Sequence, residues 1–147
     1  MGEGILRTIL SPDMAEQVHV SSAGTGAMAD VPASSLAVEV SAAHGIDIRD
    51  HRSTPLTAPL LREADLILCM EPVHVARAKD LAPDSSDRIH LITHSGDGPS
   101  HGGDAGISDP MGGVPRAYEE AFNRIRSHLL RWLPRIREAV ERSEGVR

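Results

Sequence analysis

Leu66-Ile67-Leu68-Cys69-Met70 is the stretch of this chain that decides its fold. All five residues are apolar, and charged residues bound the run on both sides. An unbroken apolar strand is typical of a parallel sheet covered on both faces, whereas a strand with one wet face alternates between apolar and polar residues. The run is also far too short to span a bilayer. It therefore predicts a buried strand in an α/β domain.

Helical and extended patterns alternate on both sides of this strand. The nearest signals are a helix at residues 59–64, a helix at residues 72–81 and a strand at residues 88–92. Toward the N-terminus, the pattern predicts a helix over residues 2–10, closed by Ser11-Pro12-Asp13, and a strand at residues 18–20. A further helix is expected to start near Asp30, with Pro32 in its first turn and Gly45 as its C-terminal cap. This alternation predicts an α/β fold with a parallel sheet.

The C-terminal region carries the clearest helical pattern. Apolar residues recur there at steps of three and four, at Tyr118, Phe122, Ile125, Leu129, Trp132, Leu133, Ile136 and Val140. Pro134 is expected to kink or split this helix, and residues 141–147 are expected to form a frayed tail. A chain of 147 residues is expected to form a single domain over residues 1–147.

Composition narrows the partners and the compartment. The formal net charge is −6, and the C-terminal arginines alternate with apolar residues as on a solvated helix face, so no nucleic-acid partner is expected. A single cysteine excludes an internal disulfide. The sequence shows neither a long apolar segment nor a signal-peptide pattern. We therefore expect a cytoplasmic protein with no membrane partner.

Residues 93–108 form a long glycine-rich segment that leads to Asp109-Pro110. His94, Asp97, His101 and Asp104 match no familiar metal-ligand spacing, and the glycines form no nucleotide fingerprint, so no metal and no other cofactor is expected. Asp109 is a candidate general acid, because a carboxylic acid on a loop can approach a leaving atom and later activate water. Asp before Pro is also common in ordinary turns.

Five pieces of the chain, in this order, match one known family: residues 1–7, 22–25, 45–57, 64–71 and 109–113. Residues 1–7 resemble the helix that follows a Cys-x-x-x-x-x-Arg-Ser-Pro phosphate loop. Taken together, the chain resembles a low-molecular-weight protein tyrosine phosphatase. The resemblance implies a flavodoxin-like three-layer sandwich with a parallel sheet. It also implies dephosphorylation of a phosphoprotein through a cysteinyl-phosphate, without a cofactor.

The resemblance also implies roles for four residues. Asp109 matches the general acid, and Met111 lies where many phosphotyrosine-specific members place an aromatic residue against the substrate ring. Ser22 and His51 match residues that support the phosphate loop. Without the resemblance, Ser22 could simply cap a turn, and His51 could be an ordinary histidine. The pattern Asp109-Pro110-Met111-Gly112-Gly113 is similar to bacterial protein-arginine phosphatases, so phosphotyrosine and phosphoarginine both stay open as substrates.

The nucleophile loop of the family is not found in these 147 residues. Cys69 is the only cysteine, Val75 stands six positions after it, and the next arginine is Arg77. A phosphate loop needs Cys and Arg separated by five residues, so Cys69 is expected to be a buried structural residue. The first strand of the family, which lies between the strands near Val18 and Leu66, is expected to be missing as well. We expect such a chain to be oligomeric through unpaired strand edges, or rearranged.

Three functional hypotheses follow. The first is a phosphatase whose start was assigned too far downstream, so that the 147 residues alone are inactive. The second is a non-catalytic interaction module of the same fold, and the third is a broken gene product. An arsenate reductase of similar fold is disfavoured, because it would need additional redox cysteines.

Overall fold

The computed structural model describes residues 1–95 and 106–145 of the chain. Its helices and strands, in chain order, are α1 (Gly2–Ile9), α2 (Pro12–Gln17), α3 (Ser35–Ala43), α4 (Ala58–Glu63), β1 (Ile67–Cys69), α5 (Pro72–Leu81), a 3₁₀ helix (Pro83–Arg88), β2 (Ile89–Leu91) and α6 (Pro115–Gly145). Helices α1, α4 and α5 and both central strands thus lie where the sequence predicts them. None of the helices in the described residues is long and apolar enough to cross a membrane.

The sheet is parallel and has an apolar core on each face. In the described residues, β1 pairs with β2 in the register Ile67↔Ile89, Leu68↔His90 and Cys69↔Leu91. Leu66, Leu68 and Met70 pack against the larger core, which is formed with α1, α3 and α6. Ile67 and Cys69 belong to the smaller core on the other face, with residues of α4 and α5. The α/β arrangement predicted from the apolar run and the three-layer sandwich implied by the resemblance are confirmed, and two described strands are compatible with a missing first strand.

The predicted strand at residues 18–20 is wrong, and the segment before it is a helix. Val18 is extended (φ −111°, ψ 116°), but no strand within the described residues pairs with this segment. The Val20 carbonyl instead accepts a hydrogen bond from Arg7 Nη2 at 2.7 Å. Helix α1 ends at Ile9, just before Ser11-Pro12-Asp13, as predicted. The same residues also start the unpredicted helix α2, because Ser11 Oγ caps the Met14 N–H and proline is tolerated at the first helical position.

Helix α3 begins later than the sequence predicts. Asp30 has φ 60°, a left-handed conformation that cannot continue a right-handed helix. Pro32 forms an antiparallel bridge with Arg52 and does not lie in a first helical turn. Ser34 is the N-cap, since its Oγ accepts a hydrogen bond from the Ala37 N–H. The predicted glycine cap is confirmed: Gly45 has φ 79°, and it is followed by the Ile46 N–H bonded to the Ser41 carbonyl at 2.9 Å.

Helix α6 is one continuous helix that packs against α1, α2 and α3. Its predicted apolar stripe is confirmed, with Phe122 and Trp132 among the most deeply buried side chains. The helix is not split at Pro134. Pro134 and Leu130, whose carbonyl loses its partner, both lie on the exposed face, where water can bind that carbonyl. Helix α6 extends through Gly145, residues 146–147 lie outside the described residues, and fraying of the tail stays a prediction.

Candidate functional site

A carboxylate at the start of α1 gathers the two predicted support residues. Glu3 Oε2 accepts a hydrogen bond from Ser22 Oγ at 2.9 Å and lies 2.9 Å from His51 Nδ1, with which it pairs when the imidazole is protonated. Glu3 Oε1 forms an ion pair with Arg7 Nη2 at 2.8 Å, one turn along the same helix. The Glu3 side chain is 14% exposed, so its charge is largely removed from water and its hydrogen bonds are stronger than surface contacts. Ser22 and His51, predicted to support the same loop, thus contact the same oxygen of Glu3.

Backbone pairing brings the Ser22 and His51 segments together. The Gly24 N–H donates to the Thr54 carbonyl at 2.9 Å, and the Leu56 N–H donates to the Gly24 carbonyl at 3.0 Å. Farther along, Ser53 Oγ accepts from the Val31 N–H at 3.0 Å and also donates to the Met28 carbonyl. Two segments about thirty residues apart in the chain are therefore held side by side beside the first turn of α1.

An open cleft of about 480 Å³ lies beside this carboxylate. Its lining includes charged and hydroxyl side chains from three segments: Glu3, Arg7, Ser22, Asp50, His51 and Arg52. The Arg52 guanidinium donates to the carbonyls of Arg49 and His51. Arg7 is engaged by Glu3 and by the Val20 carbonyl. Both guanidinium groups are thus committed to neighbours that shape the cleft.

Asp109 lies in a separate, tightly turned segment before α6. Its Oδ1 accepts a hydrogen bond from the Met111 N–H at 2.9 Å. The Gly113 N–H donates to the Pro110 carbonyl at 2.8 Å, and Gly112 has φ 80°. The Asp109 side chain is exposed, as is that of Met111, which is 73% exposed. A carboxylic acid held in this way faces solvent and is free to meet a molecule that approaches from outside.

The structure places the Glu3 group and the Asp109 segment near the same end of the sheet. The Ile107 N–H donates to the Met70 carbonyl at 2.7 Å, directly after β1. A Cβ added at Gly2 would lie 3.0 Å from Met70 Cε, so the start of α1 also reaches this point. In open parallel α/β sheets, ligands bind outside the carboxyl ends of the strands. No contact between Asp109 and Glu3, Ser22 or His51 is found, so the predicted residues form two groups flanking that end.

Comparison with known proteins shows which family the chain belongs to. The family model described as low molecular weight phosphotyrosine protein phosphatase matches residues 1–143. The chain belongs to this family. The EpsP protein of Ralstonia nicotianae is 38% identical over 120 residues, which cover 82% of this chain and 78% of EpsP. The low molecular weight protein-tyrosine-phosphatase Wzb of Salmonella typhi is 31% identical over 113 residues, or 77% of this chain and 72% of Wzb.

Solved phosphatase structures superimpose on nearly the whole chain. The tyrosine phosphatase Wzb from Escherichia coli K30, in complex with sulphate, matches with a TM-score of 0.77 and 27% identity, covering 92% of this chain and 87% of Wzb. The YwlE arginine phosphatase from Geobacillus stearothermophilus matches with a TM-score of 0.80 and 25% identity, covering 94% and 84%. The resemblance inferred from the sequence is therefore confirmed for family and fold.

The cysteine of this family member is a core residue. Cys69 is the last residue of β1, is 8% exposed, and packs in the smaller core. Burial raises the pKa of its thiol to about 11. At neutral pH the thiol is therefore almost wholly protonated, and the thiolate is the form that attacks phosphorus. The prediction that Cys69 is buried is confirmed. Reactive thiols are partly exposed in positively charged surroundings that lower their pKa, whereas burial raises the pKa of Cys69.

Sequence reasoning missed Glu3 and Arg7. The available signal was Glu-x-x-x-Arg at the start of a predicted helix, where an acidic residue suits the positive helix end and pairs with a base one turn later. That signal predicts a local ion pair and nothing about Ser22 or His51. Among the described residues, no group of three or more His, Cys, Asp or Glu could hold a metal ion. Asp97, His101 and Asp104 lie outside the described residues.

Proposed function

We propose that this chain carries the general acid of a low molecular weight phosphatase that acts on phosphoproteins. The observation that supports the proposal most is the convergence of Ser22 and His51 on Glu3 at the start of α1. A phosphate loop in this family precedes that helix, so support residues belong there. Asp109 flanks the same end of the sheet on an exposed turn, as a general acid must.

The proposed chemistry has two steps. A thiolate from a Cys-x-x-x-x-x-Arg-Ser-Pro loop attacks phosphorus, the bond from phosphorus to the leaving atom breaks, and Asp109 gives that atom its proton. Asp109 then takes a proton from water as the water oxygen attacks the cysteinyl-phosphate, which releases inorganic phosphate and the free thiolate. Ser22 and His51 hold the loop in shape through Glu3, and Met111 contacts the substrate.

We propose that the 147 residues do not catalyse this reaction alone. They contain no Cys-x-x-x-x-x-Arg sequence, and Cys69 is buried with a pKa of about 11. Activity on p-nitrophenyl phosphate that is abolished by Cys69→Ser would contradict this proposal. The test of competence is a form extended before Met1 by an apolar strand and a Cys-x-x-x-x-x-Arg-Ser-Pro loop, called here the loop-extended form. We expect it to hydrolyse p-nitrophenyl phosphate.

Asp109→Asn in the loop-extended form tests the acid directly. We expect kcat/KM to fall by about 10²–10⁴ for phenyl phosphate, whose leaving group needs a proton, and by less for p-nitrophenyl phosphate. Asp80→Asn is the matched control, because Asp80 is an exposed carboxylate on α5. Equal losses for the two substrates, or for the two variants, would refute the role of Asp109.

The substrate is a phosphorylated protein side chain, either phosphotyrosine or phosphoarginine. Solved relatives include a tyrosine phosphatase and an arginine phosphatase. Met111 offers a flexible apolar wall in place of an aromatic ring, and a thioether can pack against an aliphatic stem as well as against a ring. Competition between phosphotyrosine and phosphoarginine peptides on the loop-extended form measures the preference.

The second candidate function is a non-catalytic interaction module of the same fold. The buried, protonated Cys69 and the lack of a phosphate-loop motif in these residues favour it. The intact mass of the endogenous protein separates the two candidates. A mass above 15.7 kDa with N-terminal peptides that contain the loop motif would support the phosphatase. A mass matching residues 1–147 would support the interaction module.

We also propose that the 147-residue chain self-associates through β1. Within the described residues β1 pairs only with β2, and Leu66, Ile67 and Leu68 stay half-buried although all are apolar. An open strand edge with apolar side chains is a template for pairing with a second chain. Light scattering should give a mass above the monomer, and Leu68→Lys should lower it while exposed Leu130→Lys does not. A monomer that stays folded by circular dichroism would refute this.

A further inference from the structure

The turn after Asp109 is built so that one carboxyl oxygen is occupied. Asp109 Oδ1 accepts the Met111 N–H at 2.9 Å, an Asx turn that leaves Oδ2 without a protein donor among the described contacts. Pro110 and Gly113 close the next turn by a backbone hydrogen bond of 2.8 Å. Gly112, in the third position of that turn, has φ 80°, whereas Met111 is not among the residues with positive φ. This combination is the signature of a type II turn.

Each of the two glycines is required for a different reason. Gly112 has open space around a would-be Cβ, but its left-handed φ disfavours any L side chain. Gly113 has an ordinary φ, but an added Cβ would lie 2.8 Å from the Pro110 carbonyl oxygen and 3.2 Å from Ala117 Cβ on the first turn of α6. The turn is therefore pressed against α6 on one side and held by a backbone hydrogen bond on the other. The Met111 amide has its position imposed by this turn.

We propose that Gly112 is a positioning residue for the general acid. The type II turn that it permits lets the Gly113 N–H hold the Pro110 carbonyl. The Met111 N–H belongs to the same peptide plane as that carbonyl and is thereby directed at Oδ1, so that the transferable proton of Asp109 resides on Oδ2. This inference rests on the role proposed for Asp109 above. It adds which oxygen donates the proton and which residue, without touching substrate, sets that choice. An L residue at position 112 would turn the amide away and leave the carboxyl free to rotate.

The test on the 147-residue chain is amide hydrogen exchange measured by NMR. In Gly112→Ala, we expect the Met111 amide to exchange about tenfold faster, because a hydrogen bond to a charged acceptor is lost. Gly45→Ala is the matched control, since Gly45 has φ 79° and equally open surroundings at the end of α3. It should introduce the same backbone strain and leave Met111 exchange unchanged. Gly112→Asn should restore protection, because Asn tolerates the left-handed region.

Equal acceleration in Gly112→Ala and Gly45→Ala, or none in either, would overturn the inference. The kinetic readout uses the loop-extended form and the ratio of kcat/KM for phenyl phosphate to that for p-nitrophenyl phosphate. We expect Gly112→Ala to lower this ratio about tenfold and Gly112→Asn to restore it, since misplacing an acid hurts most where the leaving group needs the proton. An unchanged ratio in Gly112→Ala would refute the positioning role of Gly112 and leave the role of Asp109 untouched. An unchanged ratio in Asp109→Asn would refute the role of Asp109 itself, whatever the exchange data show.

Discussion

Replacing Glu3 by Gln tests whether one buried carboxylate holds three segments together. Gln keeps the length of the side chain and one acceptor oxygen, but it removes the charge. Glu3 Oε2 accepts a hydrogen bond from Ser22 Oγ at 2.9 Å and lies 2.9 Å from His51 Nδ1, with the Glu3 side chain 14% exposed. A hydrogen bond to a charged group contributes about 1.5–3 kcal/mol, against about 0.5–1.5 kcal/mol for a neutral pair. The two contacts together should therefore lose about 2 kcal/mol.

Two smaller effects act in the same direction. Arg7 is 58% exposed, so its pair with Glu3 contributes only about 0.3–0.5 kcal/mol. A negative charge in the first turn of α1 contributes about 0.3–1 kcal/mol with the helix dipole. We therefore expect the free energy of unfolding to fall by about 3 kcal/mol, which for a domain of this size lowers Tm by about 9 °C.

Urea unfolding followed by far-UV circular dichroism and Trp132 fluorescence measures this loss. Glu120→Gln is the matched control, because Glu120 pairs with Arg116 at 3.1 Å one turn apart on α6, with side chains 64% and 87% exposed. That variant should lose less than about 0.5 kcal/mol. Equal small losses in both variants would refute the reasoning. A double-mutant cycle of Glu3→Gln with His51→Ala should also show coupling, because the two side chains are in direct contact at 2.9 Å.

Two further outcomes follow from the core. Burial raises the pKa of the Cys69 thiol to about 11, above that of an exposed thiol, so the unfolded chain loses this proton first as pH rises. The free energy of unfolding should therefore fall by up to about 3 kcal/mol between pH 9 and 11 relative to Cys69→Val, and parallel pH profiles would contradict this. Trp132 Nε1 donates to the buried Ile92 carbonyl at 2.7 Å, so Trp132→Phe should destabilise by about 2–3 kcal/mol in urea unfolding. Tyr118→Phe, which removes only a 3.4 Å contact with Ser34, should lose less than about 1 kcal/mol, and equal losses would refute this ranking.

The elements that could be predicted from sequence are those whose signals are local. The apolar run 66–70, the stripe of α6 and the glycine cap at Gly45 each carry their information within a few residues. Their conformations follow from periodicity, burial and φ preference. Prediction was least complete at helix starts. Ser11 Oγ and Ser34 Oγ cap helices by accepting from the Met14 and Ala37 N–H groups, and neither serine was predicted to be a cap.

The candidate site could be predicted only in part, for a related reason. Ser22, His51 and Asp109 were predicted from the order of motifs along the chain. The family model confirms the family that this order suggested, and the roles of the three residues stay predictions. Glu3 was not predicted, because the residues that it contacts in the site, Ser22 and His51, lie 19 and 48 positions away in the chain. A carboxylate in a first helical turn is common, and its burial by two other segments is a property of the folded chain alone.

By itself the sequence determined the α/β class, the phosphatase family, the buried cysteine and the positions of most helices, because apolar spacing and local backbone preference act within single segments. Tertiary structure alone decided that residues 18–20 form no strand. A strand exists only with a partner beside it, and Val20 meets Arg7 instead. It also decided that Glu3 contacts both Ser22 and His51. Pairing, burial and shared hydrogen bonds join segments that are distant in the chain.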